Sequence, residues 1–90
     1  MTQRQESIVN SYNRSSDTEL YHCYSSFSEK KLHAWEYCKN LCYKYNGIGL
    51  KIISHNGYVF SAGFKFEDEQ GRQCLMYITK TRDEIIVLEK

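Results

Sequence analysis

Leu32, Trp35, Cys38, Cys42 and Tyr45 recur at spacings of three and four, with Ala34 and Leu41 beside them, and mark one apolar stripe along a helix. Ser26, with Glu29 three places later, supplies a capping box at its start. Asn46-Gly47 ends it, because glycine reaches the left-handed cap conformation without a steric penalty. Lys30, Lys31, Glu36, Lys39, Asn40 and Lys44 lie largely off the stripe and face water. The spacing predicts one long amphipathic helix over about residues 28–45. From Ile48 the period changes to two. Ile48, Leu50 and Ile52 alternate with Gly49, Lys51 and Ile53, and Tyr58, Phe60, Ala62, Phe64 and Phe66 alternate with Val59, Ser61, Gly63 and Lys65, as in two strands.

Register decides the turn between these strands. A two-residue loop at Asn56-Gly57 sets Ile53 opposite Phe60 and leaves large apolar groups on both faces. A three-residue loop at His55-Asn56-Gly57 sets Ile52 opposite Phe60, Leu50 opposite Ala62 and Ile48 opposite Phe64, so that one face is wholly apolar. The second is the expected turn, with Gly57 taking its positive φ. An acidic loop from Glu67 to Gly71 precedes a third strand, where Cys74, Met76 and Ile78 alternate with Leu75, Tyr77 and Thr79. Residues 80–83 turn into a fourth, from Glu84 to Leu88. Short polar connections pair consecutive strands as antiparallel neighbours. The expected architecture is therefore α+β, with the long helix packed on a four-stranded antiparallel meander.

The N-terminal part is less patterned. Ile8, Val9 and Tyr12 permit a short helix without requiring one, and fraying is expected before about Glu6. Ser16 and Glu19 form a second capping box, which predicts a brief helix near 17–24. The N-terminal segments are thus expected to be short helical pieces.

Ninety residues, 41% of them hydrophobic and 26% charged, make one soluble domain over 1–90 with a single-layer core. The longest apolar stretch, Ile85 to Leu88, is far below the roughly 20 residues of a membrane span. No apolar h-region marks the N-terminus for secretion, so a cytoplasmic location is expected. There Cys23, Cys38, Cys42 and Cys74 stay as thiols and serve packing. The net charge of +1 gives no long-range field toward nucleic acid or a membrane. Eight tyrosines and no proline are the unusual features, and tyrosine is enriched at interfaces because it buries a ring and keeps one polar atom.

Catalytic and metal chemistry find little to stand on. Cys38 and Cys42 sit four apart within the apolar stripe, and with His22-Cys23 they form neither a CxxC knuckle nor an H-x₃₋₅-H pair, so no metal site and no cofactor are expected. His22, His33 and His55 have no sequence neighbour that gives them a catalytic role. Glu67-Asp68-Glu69 lacks the ligand pattern of a calcium loop. What remains is a helix surface with basic and aromatic groups together, Lys30, Lys31, Tyr37, Lys39, Tyr43 and Lys44, while Lys65, Arg72, Lys80 and Arg82 fall near strand ends. Such a surface clamps phosphates and stacks bases, or serves as a protein interface, and the balanced charge favours the protein.

The stretch His33-Ala34-Trp35-Glu36-Tyr37-Cys38-Lys39, continued through Ile53-Ser54-His55-Asn56-Gly57-Tyr58 to Tyr77-Ile78-Thr79-Lys80, resembles small uncharacterised accessory proteins of phages and integrative elements of Gram-positive bacteria. The resemblance spans about two thirds of the chain and implies a setting, in which such proteins block or redirect a host protein or handle the element's nucleic acid. It assigns no residues. The function expected is a small non-enzymatic binding protein, an interaction or inhibitor module of a mobile element whose partner is a host or element-encoded protein. The alternative is a nucleic-acid-binding accessory protein using the Lys/Tyr helix face. A sheet edge open to strand addition makes a homodimer the further alternative.

Overall fold

The computed structural model describes residues 1–15, 29–56 and 59–88, the side chains of 29–32, 55, 56, 59 and 60 excepted. The helix expected near 17–24, the cap at Ser26 and the positive φ expected of Gly57 lie outside the described residues.

Helix α1 spans Gln3–Arg14. Thr2 caps it: its hydroxyl accepts from the Gln5 backbone N–H at 3.1 Å, and the Gln5 side chain accepts from the Thr2 backbone N–H at 3.0 Å. Two otherwise orphaned donors are satisfied reciprocally, so the helix begins at Gln3 with a complete capping box. Helix α2 spans Glu29–Lys44 and buries Trp35 and Cys38, with Leu41 and Cys42 partly covered. It ends in a Schellman arrangement, Gly47 N–H to the Cys42 carbonyl at 2.7 Å and Asn46 N–H to the Tyr43 carbonyl at 3.1 Å. The left-handed residue is Asn46, at φ 54°, not the glycine. Gly47 is required for another reason: a Cβ there would run into the Phe64 ring and lie 2.9 Å from the Cys42 sulfur.

Four strands, β1 (Ile48–Asn56), β2 (Val59–Glu67), β3 (Gln73–Ile78) and β4 (Asp83–Val87), form one antiparallel sheet in the order β1-β2-β3-β4. Alternation sends Ile52, Ala62, Phe64, Phe66, Cys74, Met76 and Ile78 to one face, where they pack with Trp35 and Cys38 of α2. Leu75 and Ile86 point to the other, where they meet Tyr12 of α1, with Ile8, Val9, Ile53 and Tyr77 around them. The expectation of one long helix on one face, with only short helical pieces before it, is corrected. Helices of 12 and 16 residues cover opposite faces, because both faces of β3 and β4 are apolar and each needs a cover.

The first hairpin departs from the regular meander expected of it. Asn56 pairs with Val59, His55 with Phe60 and Ser54 with Ser61, so His55 and Asn56 belong to the strand and not to a three-residue turn. Ile52 then pairs with Ala62 rather than Phe60, and Ile48 with Lys65 rather than Phe64. Irregularities between Ile52 and Ser54 and between Ile48 and Lys51 each insert one extra β1 residue. A bulge shifts register by one without moving the whole strand to the wrong face. This is how Ile52 comes to the α2 face although the hairpin starts in another register. Leu50 also reaches that core, whereas Ile48 is 70% exposed.

Gly49 sits in the second bulge at φ +67°, where its carbonyl accepts the Tyr12 hydroxyl. A side chain at Gly49 would place Cβ 2.6 Å from that hydroxyl oxygen. Lys51 lies over the Tyr12 ring at 4.5 Å and donates to the Tyr12 carbonyl at 3.4 Å, so one tyrosine anchors α1 to the bulged strand.

Candidate functional site

Of the six helix residues expected to form a binding face, the four whose side chains are described, Tyr37, Lys39, Tyr43 and Lys44, are spread around α2. At about 100° per residue, Tyr37 and Lys39 lie roughly 160° apart around α2. Lys39 pairs with Glu36 at 3.3 Å, which cancels its charge locally. Tyr43, 87% exposed, lies on the outer surface. Lys30 and Lys31 belong to α2, but their side chains lie outside the described residues. Tyr37 and Lys44 fall on the shoulder of the helix that is turned toward β4.

That shoulder is where the surface becomes distinctive. α2 packs over β1 and β2, so β4 extends beyond its cover and Ile85 is 50% exposed although it pairs with the buried Met76. The Tyr37 hydroxyl donates to the Asp83 carboxylate, and this hydrogen bond, with some burial, raises the phenol above its ordinary value of 10.0. At the other end of the same border Tyr45 leans on Phe66, with ring centroids 5.1 Å apart, and Lys44 lies 6.0 Å from the Tyr45 ring centre. Lys44, Tyr45, Phe66 and Ile85 line an open cleft of about 590 Å³ whose far wall is the β2–β3 loop, Glu67 to Gln70 with Arg72.

The loop is acidic and hydrogen-bonded to itself. Asp68 accepts from the backbone N–H groups of Gln70 (3.0 Å) and Arg72 (2.8 Å) and pairs with the Arg72 guanidinium at 2.8 Å. The Arg72 N–H and the other donors hold its carboxyl below the ordinary 3.8. Gly71 takes φ +79° to close the turn. With Arg72 neutralised by Asp68, Glu67 and Glu69 stand exposed at the tip. At the opposite end of β4, the β3–β4 turn is held by the Thr79 hydroxyl and backbone against Arg82 and leaves Lys80 and Arg82 exposed. Arg82 reaches Glu84 at 3.3 Å, and Arg4 of α1 reaches the same carboxylate at 2.8 Å. The hydrogen bond from Arg4 holds Glu84 below its ordinary 4.5.

The thiols are occupied by packing. Burial pushes the Cys38 thiol up to about 12 and also raises Cys42, so neither is a thiolate at neutral pH. Cys74 is buried, its sulfur 3.8 Å from an Asp68 carboxylate oxygen. Cys38 and Cys42 are free thiols. Among the described residues no three His, Cys, Asp or Glu side chains converge as a group that could hold a metal. His33 is exposed on α2; His22 and the His55 ring lie outside the described residues. No helix among them is long and apolar enough to cross a membrane.

Ile85 was thus missed as a surface residue and Tyr45 was placed in the apolar stripe, whereas the acidic loop at Glu67–Gly71 and the polar turn at 80–83 were expected. Ile85-Ile86-Val87-Leu88 is apolar in both alternation phases, a signal that both faces of the sheet need a cover. Comparison of the chain with protein-family models, with curated proteins and with solved structures finds no match.

Proposed function

We propose that this protein is a small non-enzymatic binding module that engages another protein through the border between α2 and β4. One observation carries the reading: half-exposed apolar and aromatic groups, Ile85, Tyr37 and Tyr45, stand beside an outer strand and an acidic loop. Aromatic rings beside a partly desolvated aliphatic anchor are the composition of protein interfaces. A nucleic-acid groove needs an unbalanced basic track, and here Lys39 is paired with Glu36 while Glu67 and Glu69 flank the cleft. In the setting that the resemblance implies, the module acts in the cytoplasm on a host or element-encoded protein, as an inhibitor or accessory factor.

The test is affinity capture with the wild-type chain and an Ile85→Lys variant of unchanged circular dichroism. A defined protein retained by the first and lost by the second supports the reading. Retention of DNA or RNA alone, released by moderate salt and unaffected by Ile85→Lys, replaces it with the nucleic-acid alternative.

A further inference from the structure

The two outer strands of the sheet differ in kind. β1 is broken by two irregularities, and the second is clamped by Tyr12 on the Gly49 carbonyl. Bulges of this sort twist an edge out of reach of another strand. β4 has no register shift against β3, and Asp83–Val87 contains no lysine or proline. Among the described residues no strand pairs with its outer side. The Leu88 N–H binds the Gln73 carbonyl and the Arg82 carbonyl accepts from Thr79 N–H, so the even-numbered residues of β4 bond inward. The N–H and C=O groups of Asp83, Ile85 and Val87 therefore point outward, available to another strand.

We infer that β4 pairs antiparallel with β4 of a second copy of this chain, with Ile85 at the two-fold centre, making one continuous sheet. This rests on the reading of the α2–β4 border as protein-binding and names its occupant. The two-fold axis runs normal to the sheet, so Ile85 meets Ile85 of the second copy on the α2 side, and Asp83 of each copy faces Val87 of the other. No like charges stand opposite one another. Asp83 is held by Tyr37 and Glu84 by Arg4 and Arg82, so both acids of the strand already have partners.

Charge selects this occupant. β4 runs from a basic turn, Lys80 and Arg82, to the side of the acidic tip, Glu67 and Glu69, because Leu88 lies beside Gln73 and Gln73 pairs with Glu67. Antiparallel pairing about Ile85 brings the basic turn of each copy alongside the acidic tip of the other, twice per dimer. Across the junction the Arg82 and Glu67 backbones lie three strand spacings of about 4.8 Å apart, roughly 14 Å, so the attraction is a salt-screened one rather than a set of close contacts. Parallel pairing would instead set basic turn beside basic turn. Five residues a side make a small interface, so the association is micromolar or weaker, and salt weakens it.

The experiment is sedimentation equilibrium of the full chain from about 1 µM to about 1 mM, at low and at high salt. The wild type is expected to dimerise, less tightly at high salt. Ile85→Lys is expected to weaken dimerisation at least tenfold, and so are the charge-reversed variants Lys80→Glu/Arg82→Glu and Glu67→Lys/Glu69→Lys. Mixing the two charge-reversed variants is expected to restore a heterodimer, since the acidic turn of the first meets the basic tip of the second and the basic turn of the second meets the acidic tip of the first. Circular dichroism confirms that each variant is folded. A wild type that stays monomeric throughout overturns the pairing, and so does a dimer indifferent to Ile85→Lys and to both charge reversals. Either result leaves the capture of a different protein by the same face as a separate outcome, so failure of the dimer and failure of the binding-module reading are distinguishable.

Discussion

Tyr12 and Gly49 fit one another closely, since the hydroxyl satisfies a carbonyl exposed by a bulge and the glycine leaves room for it. Tyr12→Phe removes one hydrogen bond and is expected to cost about 0.5–1.5 kcal/mol in urea unfolding. Gly49→Ala adds a left-handed alanine and a steric overlap, for about 1–3 kcal/mol from the backbone alone. Because the overlap is with the Tyr12 oxygen, the double variant is expected to cost less than the sum of the two; strict additivity would show that the contact is absent in solution. Cys38 offers a chemical test at the same scale. With its thiol pushed to about 12 by burial, it is expected to stay unalkylated in the native protein at pH 8 and to react on unfolding, as read by mass spectrometry of the cysteine peptides. Rapid native alkylation of Cys38 would place it outside the core.

At the scale of elements, α1 is held by its cap, by Tyr12 and by the Arg4–Glu84 pair. Thr2→Ala is expected to lose about 1 kcal/mol of stability. Deleting residues 1–14 uncovers Leu75 and Ile86, both fully buried, and is expected to give a chain that binds a hydrophobic dye. The carboxylates Glu84 and Asp68 make stability pH-dependent in a definite direction. Both are depressed in the folded state by donors, Arg4 and Arg72, so their contribution is complete above the ordinary values of 4.5 and 3.8 and fades as pH falls through the lower folded values. Glu84→Gln/Asp68→Asn is therefore expected to lower Tm at pH 7 while flattening its fall between about pH 5 and pH 2, with changes of a few degrees because the pairs are largely solvated. Equal slopes for wild type and variant in this window would refute that account.

For the whole molecule the decisive fact is a thin sheet that is apolar on both sides. The periodicity of 32–45 revealed α2 and its buried side, and the alternation of 48–53, 58–66 and 74–88 revealed four strands, because these are local repeats set by the geometry of one element. The second cover escaped notice since α1 shows only Ile8, Val9 and Tyr12 on its apolar side, and three residues do not establish a period. The bulges escaped for a related reason: a one-residue insertion leaves the alternation on each side of it intact and is visible only when two strands are paired. Of the proposed surface residues, Tyr37 and Lys44 were legible as exposed helix positions. The charged tips were legible as polar connections, but Ile85 and Tyr45 were not, since their exposure depends on how far α2 reaches across the sheet.

By itself the sequence determined the type of each described element, though not the length of α1, and also the end of α2 at Asn46-Gly47 and the packing role of Cys38, all consequences of short-range periodicity and of what a backbone step permits. Only the tertiary structure decided that helices lie on both faces, that Gly49 yields to a tyrosine 37 residues before it, and that β4 is left at the rim with Ile85 half uncovered. Those are properties of which surfaces meet, and they depend on contacts between residues that no local pattern relates.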